Sequence, residues 1–308
     1  MGWVDKLFAN LAESNDTATA TGLYDLAGVY CSKRQYAQAE PLYRRLLAIV
    51  ENTQGADHLN VAMILKKLAG VYNAQYQYAQ SEPLYKRALA IEEKTLGPDH
   101  PDVVDSLEAL AEVYRAQDQY AQAEPLCKRV LAIREKAFGP DHPEVIHSLN
   151  NLAALYRVQG QYEQVELLCK RALAITSKAF GPDHPDIVII LNNLALLYCD
   201  QGQYAQAEPL YKQALAIEEN VLGPDHPDVA DCLDNLAKLY DTQGLYAQAE
   251  AFYRRALVIR EKTYGSDHPE VGDSLGDIAL LYRKMGREKE AMQLEKITAA
   301  IRAKEQQN

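Results

Sequence analysis

The sequence lacks the features that mark membrane and secreted proteins. None of its apolar runs approaches the roughly 20 residues that a bilayer-spanning helix needs. The first residues have no signal-peptide core, and Lys6 stands where a myristoylation motif has Ser or Thr. The 5 cysteines include no Cys-x-x-Cys pair, which favours a reducing compartment. These absences predict a cytoplasmic protein with no membrane partner.

Positive charge is also scarce. The chain has 32 Lys and Arg against 43 Asp and Glu, a formal net charge of −11 at pH 7. Binding to a phosphate backbone needs a basic face, so this balance argues against nucleic acid as a partner.

The sequence contains none of the common catalytic motifs: no Gly-x-Gly-x-x-Gly, P-loop, Gly-x-Ser-x-Gly or His-Glu-x-x-His. His147 is the only histidine outside a set of repeated loops, and no nucleophile accompanies it. We therefore expect no enzymatic activity, no cofactor and no metal site.

What the sequence does contain is a repeat. The phrase Gly-Pro-Asp-His-Pro recurs every 42 residues, beginning at Gly97, Gly139, Gly181 and Gly223, with variant copies at Gly55 and Gly265. A period between about 20 and 50 residues is typical of solenoids, which offer extended binding surfaces rather than deep catalytic clefts.

One repeat predicts two helices, from about Pro143 to Gln159 and from about Tyr162 to Ala179. Asp141 or His142 can cap the first helix, and helical spacing places four apolar residues on one stripe. These are Leu149, Leu152, Ala153 and Tyr156. Such an antiparallel hairpin cannot bury both of its stripes alone and must stack on its neighbours.

The repeat predicts an all-α solenoid of about seven stacked hairpins. We divide the chain into an N-terminal cap (1–16), the repeat array (17–287), and the last second helix with a C-terminal cap (288–308). The apolar residues expected to close the two ends are Trp3, Leu7, Phe8 and Leu11, and Ile297, Ala300 and Ile301.

Several strings in the repeats resemble those of kinesin light chains and their bacterial relatives, a type of tetratricopeptide repeat (TPR) protein. They are Leu-Asn-Asn-Leu-Ala (149–153 and 191–195), Ala-Glu-Pro-Leu-Tyr (207–211), Ile-Arg-Glu-Lys (133–136) and Gly-Pro-Asp-His-Pro. The resemblance covers about residues 17–300. It implies a right-handed α-α superhelical solenoid that serves as a scaffold or adaptor. The first helices of such a solenoid line a concave groove for peptide segments of partner proteins.

The resemblance also implies groove residues. In kinesin light chains, an Arg after the first-helix Tyr and an Asn of the next repeat contact acidic peptides that hold an aromatic residue. The matching pairs here are Arg115 with Asn151 and Arg157 with Asn193. A further contact, the Arg of Ile-Arg-Glu-Lys, is replaced by Thr176 and Glu218 in the repeats that hold these Asn residues. The full groove prediction is Lys66, Lys67, Arg115, His147, Asn150, Asn151, Arg157, Asn192, Asn193 and Asn235.

The predicted groove changes sign along the chain. Its first half carries Lys66, Lys67, Arg115 and Arg157, and its second half carries Asp231, Asp234, Asp241, Asp273 and Asp277. This pattern favours a peptide with an acidic segment toward the first half and a basic segment toward the second.

Two other functions remain open from the sequence. Near-identical repeats can exchange between chains, which would make a self-associating structural protein and a homo-oligomer. Alternatively, the chain is the interaction module of a larger signalling protein.

Overall fold

The computed structural model describes residues 16–305, which form fourteen α-helices and no strand. In chain order they are α1 (Asp16–Ser32), α2 (Tyr36–Gln54), α3 (Leu59–Ala74), α4 (Tyr78–Leu96), α5 (Val104–Ala116), α6 (Tyr120–Phe138), α7 (Ile146–Val158), α8 (Tyr162–Phe180), α9 (Asp186–Asp200), α10 (Tyr204–Leu222), α11 (Pro227–Thr242), α12 (Tyr246–Tyr264), α13 (Pro269–Lys284) and α14 (Glu288–Glu305). None of these helices combines the length and apolar character that crossing a membrane requires.

The helices follow one another in seven successive pairs, numbered below as hairpins in chain order, which confirms the predicted all-α repeat array. The chain divides into two compact units at Leu155 and Tyr156, within α7. In the first unit, α1 packs on α2, α3 on α4 and α5 on α6. In the second unit the packed pairs are α9 with α10, α11 with α12 and α13 with α14.

The fourth hairpin begins with a turn tighter than predicted. Pro143–Val145 form a 3₁₀ turn, and α7 starts only at Ile146. A 3₁₀ turn closes its hydrogen bond over three residues instead of four, and such turns are frequent at helix starts. The second helix, Tyr162–Phe180, matches its prediction to within one residue.

Histidine rather than aspartate caps the first helices. In six loops the histidine Nδ1 accepts a hydrogen bond from the backbone N–H two residues later, at 3.1–3.3 Å. The six are His58, His100, His142, His184, His226 and His268. These bonds satisfy a donor that the helix start would otherwise leave unpaired.

A repeated tyrosine joins four of the hairpins to the one before it. Tyr240 is 4% exposed, and its hydroxyl donates to Glu208 Oε1 at 2.8 Å, which connects α11 to α10. Equivalent bonds, at 2.7–3.2 Å, are Tyr72–Glu40, Tyr198–Glu166 and Tyr282–Glu250. The tyrosine ring thus fills the core while its hydroxyl pairs with a glutamate of the preceding second helix.

The predicted caps have different outcomes. Trp3, Leu7, Phe8 and Leu11 lie outside the described residues. At the other end, Ile301 is 2% exposed and packs with Val271 and Leu275. Ile297 is 43% exposed and Ala300 is exposed too, so only Ile301 of the predicted set closes this end.

The turn inside each hairpin offers a stability test. Four turns place glycine at φ 71–74°, whereas Arg34, Tyr76 and Asp118 take the same repeat position at φ 57–59°. A side chain in this region is strained by about 1–2 kcal/mol, partly offset by the flexibility of glycine in the unfolded chain. We therefore expect Arg34→Gly to raise the free energy of unfolding by about 0.5–1 kcal/mol, measured by urea denaturation. A loss of stability would contradict this, and Gly202→Ala should act in the opposite direction.

Candidate functional site

The predicted groove residues occupy one polar face of the first helices. All ten residues are at least partly exposed, and Lys67 and His147 are the most exposed of them. The apolar stripe of the same helices is buried, as Leu149 (0% exposed) and Ala153 (1%) show. Amide and cationic side chains therefore remain available to solvent along these helices.

In the first unit, Arg115 and Asn151 share a narrow recess. It has a volume of about 30 Å³, room for about two water molecules. Its other walls are Glu108, Ala111, Glu112, Cys127, Val130 and Ser148. Burial raises the pKa of the Cys127 thiol to about 11, so this thiol stays protonated at neutral pH and acts as a packing group.

Both residues of this recess have partners on the chain itself. Arg115 Nη1 lies 3.1 Å from Glu112 Oε2, one turn earlier on α5. Asn151 Nδ2 lies 3.0 Å from His147 Nε2, which is 4.0 Å from Glu108 Oε1. The sequence reasoning missed Glu108 and Glu112. Exposed ion pairs contribute about 0–1 kcal/mol, so a ligand carboxylate can compete for Arg115.

In the second unit, the predicted pair is not joined. Arg157 Nη1 binds Asp200 Oδ2 at 2.9 Å on α9. No hydrogen bond joins Arg157 to Asn193 among the described side chains, and Asn193 and Asn235 are partly exposed. The Oδ1 atom of Asn192 is buried and has no hydrogen-bond partner there.

At one pair of equivalent repeat positions, three hairpins carry an ion pair between their first and second helices, which we call the intrahairpin pair. The pairs are Lys66 Nζ–Glu92 Oε1 (2.8 Å), Arg134 Nη1–Glu108 Oε1 (2.9 Å) and Arg260 Nη1–Asp234 Oδ2 (2.6 Å). Both arginines also donate to a serine on the next first helix, Ser148 or Ser274, at 2.6 and 2.7 Å. These arginines belong to the two copies of Ile-Arg-Glu-Lys, so their side chains are engaged within the fold.

The two hairpins between the third and the sixth lack the intrahairpin pair. The fourth has Asn150 and Thr176 at these repeat positions, and the fifth has Asn192 and Glu218. Thr176 is satisfied by donating to the Ala172 carbonyl at 2.8 Å. Asn150 Oδ1 and Glu218 Oε2 are buried without a hydrogen-bond partner among the described residues. Burial raises the pKa of Glu218. An alignment of the repeats could have identified this residue from the sequence, because Glu92 holds the same repeat position three periods earlier.

The carboxylates of the predicted acidic half form ion pairs with Lys and Arg side chains of the same chain. Arg260 pairs with Asp231 and Asp234, Lys284 with Asp241, Arg302 with Asp273, and Lys238 with Asp277, at 2.5–4.0 Å. Burial raises the pKa of Asp234 and of Asp277, against the attraction of these cations. The carboxylates are present as predicted, but much of their charge is balanced by groups that lie outside the predicted stripe.

Neither the capping histidines nor the cysteines form a metal site. Within residues 16–305 no group of His, Cys, Asp and Glu side chains is placed to hold a metal ion. Burial raises the pKa of the Cys169 and Cys232 thiols to about 12, so both are protonated packing groups at neutral pH.

Comparisons with known proteins agree with the repeat architecture. The tetratricopeptide repeat profile matches six overlapping stretches: residues 17–91, 61–125, 105–175, 150–217, 186–262 and 242–303. No curated protein matches the chain significantly.

Solved structures include repeat proteins of similar fold. A candidate kinesin light chain of Podosopora anserina with nearly identical TPR-like repeats is 29% identical; the match covers 67% of this chain and 98% of that one, with a TM-score of 0.57. BtubC (BKLC) of P. vanneervenii is 22% identical over 75% of this chain and 90% of its own, with a TM-score of 0.58. Apo RapI is 16% identical over 94% and 99%, with a TM-score of 0.65. The repeats place this chain in the tetratricopeptide repeat family, a fold that generally serves as a non-catalytic protein-interaction scaffold, and the chain is of the kinesin light chain-like type.

Proposed function

We propose that this chain is a non-catalytic adaptor that binds extended peptide segments of partner proteins along its first helices. The observation that carries the proposal is the pair of unsatisfied amide oxygens, Asn150 Oδ1 and Asn192 Oδ1. Both residues are partly exposed although these oxygens are buried, so rotation of the side-chain amide brings the oxygen to the surface, where a ligand can reach it. A buried acceptor without a donor costs about 1–3 kcal/mol, and a peptide N–H can satisfy it whatever the peptide sequence.

The arginines add a preference for acidic peptides. Arg115 and Arg157 lie on first helices, and each presents a guanidinium whose planar fork suits a carboxylate. Their present partners, Glu112 and Asp200, are partly exposed, with 57% and 32% of the side chain accessible. An incoming carboxylate can replace such a partner at small cost. The kinesin light chain-like type of the repeats supports the same reading, a cargo-binding adaptor.

The test is a charge reversal in the groove. We expect Arg115→Glu combined with Arg157→Glu to weaken binding of a fluorescein-labelled dodecapeptide, rich in Asp and Glu around one Trp, by about tenfold or more. Fluorescence anisotropy at two salt concentrations measures the loss, and the salt dependence of the remaining affinity should fall as well.

The matched control places the same charge change elsewhere. Lys170→Glu with Lys212→Glu removes two exposed cations from second helices, where each forms an i,i+4 pair with Glu166 or Glu208. This control should bind the peptide within about twofold of the wild type, because the net charge is altered equally but outside the groove. Equal weakening in both variants, or unchanged affinity in the first, would overturn the arginine assignment.

A further inference from the structure

The fifth hairpin contains a buried carboxylate whose cation is missing. Glu218 is 9% exposed, and its Oε2 atom has no hydrogen-bond partner in the described part of the chain. No ion pair to Glu218 is present there either. A buried carboxylate is stable as an anion only when a cation or several donors surround it, so this position is costly as it stands.

The second hairpin shows which group is missing. Lys66 and Glu92 stand three repeats before Asn192 and Glu218, and there the lysine ammonium lies 2.8 Å from the carboxylate. In the fifth hairpin, asparagine replaces that lysine, so the carboxylate remains while the ammonium and its stem are absent. Because asparagine is shorter than lysine, Asn192 places no group from α9 at the position that the Lys66 ammonium takes in the second hairpin.

The amide that replaces the lysine is itself unsatisfied. Asn192 Oδ1 is a second buried acceptor without a donor, on the helix that faces Glu218 within the same hairpin. Two buried acceptor atoms that both lack a hydrogen-bond partner suit a group with several N–H donors and a positive charge. Asn192 is partly exposed although its Oδ1 atom is buried, so such a group can enter from the α9 side when the Asn192 amide rotates outward.

The surrounding surface suits a side chain with an apolar stem. Ile189 precedes Asn192 by one turn on α9 and is 57% exposed. Leu196 follows Asn192 by one turn and is partly buried. A lysine carries such a stem and ends in an ammonium, so it can contact these residues while its charge is placed deeper.

We propose that Glu218 and Asn192 form a lysine-binding subsite, in which a lysine of the partner peptide restores the ion pair that the fifth hairpin lacks. The proposal rests on the peptide-binding function above and deepens it. The lysine ammonium would donate to the Glu218 carboxylate and to Asn192 Oδ1, as Lys66 does to Glu92 within the chain. A basic residue is thereby specified at one position of the bound segment.

The experiment selects peptides from a random dodecapeptide phage library on the full chain and on three variants. Wild type should enrich lysine at one peptide position, and Glu218→Gln should lose that enrichment. Asn192→Lys should lose it too, because its own ammonium would occupy the site. Glu219→Gln is the control, since it removes a neighbouring carboxylate that already pairs with Arg255 at 2.6 Å; it should keep the enrichment.

The outcomes separate the subsite from the groove. Peptides that bind without lysine enrichment, or with the same enrichment on Glu218→Gln, would overturn the subsite and leave the adaptor function standing. Failure of wild type to select any peptide would overturn both. Thermal denaturation checks the folding of each variant, and Asn192→Lys should have a higher Tm than wild type because it supplies the missing cation.

A selected peptide allows a pH test. Burial raises the pKa of Glu218 above its ordinary value, and its charged neighbours are Asp228, which adds to the rise, and His226, which opposes it. Cys232 also faces it but stays neutral, since burial and the nearby carboxylate raise the pKa of its thiol to about 12. Only the ionised carboxylate binds the ammonium, so wild-type affinity should rise with pH above the ordinary glutamate range. The same peptide with lysine replaced by glutamine should bind about tenfold more weakly at pH 7.5 and show no such rise; equal affinity would contradict the subsite.

Discussion

Replacing Arg260 with methionine should lower the free energy of unfolding by about 3–5 kcal/mol at pH 7. Arg260 is 7% exposed, and its Nη1 atom lies 2.6 Å from Asp234 Oδ2 and 2.7 Å from Ser274 Oγ. Asp234 is only 8% exposed. Methionine fills a similar volume but provides no charge and no donor, so the loss comes from leaving Asp234 buried as an unpaired anion. Urea denaturation followed by circular dichroism measures it.

The loss should depend on pH in a defined direction. Burial already raises the pKa of Asp234, while Arg260 lowers it. Without Arg260 the folded-state pKa rises further above the unfolded value. A carboxyl group with a raised folded-state pKa destabilises the fold as pH increases through that pKa. The deficit of Arg260→Met relative to wild type should therefore be largest near neutral pH and shrink as pH falls to the ordinary aspartate range.

A second substitution distinguishes the lost charge from lost packing. Arg260→Met combined with Asp234→Leu removes both members of the pair and should recover most of the stability, because apolar replacement of a buried ion pair is often neutral. Asp231→Asn should cost less than about 1 kcal/mol, since the Asp231 side chain is 70% exposed and exposed pairs contribute little. If Arg260→Met lay within about 1 kcal/mol of wild type at pH 7, Asp234 would not depend on Arg260.

Much of the fold could be predicted because the 42-residue period repeats each local signal. A single Tyr or His is weak, but six capping histidines in one phase indicate a common helix start. The period also marks both ends of each hairpin, so the predicted start of the second helix at Tyr162 is confirmed. The 3₁₀ turn at Pro143 could not be predicted from its proline, because the equivalent Pro227 of the sixth hairpin begins a regular α-helix. The second hairpin, which has Leu59 at this position, also begins with a regular α-helix.

The charges of the candidate site were less predictable, because their partners stand on another helix. When the sequence of the first helix is considered alone, Lys66 and Asp234 have no evident partner of opposite charge. In the structure each pairs with a residue on the second helix of its hairpin, Glu92 or Arg260. Glu218 is identified as a carboxylate without such a partner only when the sequences of both helices of the hairpin are considered together. The sequence does predict which side chains reach solvent, since the ten groove residues all lie off the buried stripe.

The second large effect is expected in the core, where Ala237→Leu should destabilise the fold by about 3 kcal/mol. Ala237 is 0% exposed and belongs to a buried cluster with Leu233, Tyr240 and Ala249, where α11 packs on α12. Alanine holds this repeat position in every hairpin: Ala27, Ala69, Ala111, Ala153, Ala195 and Ala279. Protein interiors are close-packed, so a larger side chain here must separate the helices or adopt a strained rotamer.

The next residue provides a matched control, because the same leucine placed there should change stability by less than about 0.5 kcal/mol. The Lys238 side chain is 59% exposed, and its ion pair with Asp277 spans 4.0 Å, too long and too exposed to contribute much. Leucine already occurs at this repeat position, as Leu196 and Leu280. Urea denaturation of Ala237→Leu and Lys238→Leu therefore compares one side chain on two sides of a helix. Similar unfolding midpoints would mean that the hairpin can open to admit the larger side chain; a large gap would show that the helix contact itself requires alanine.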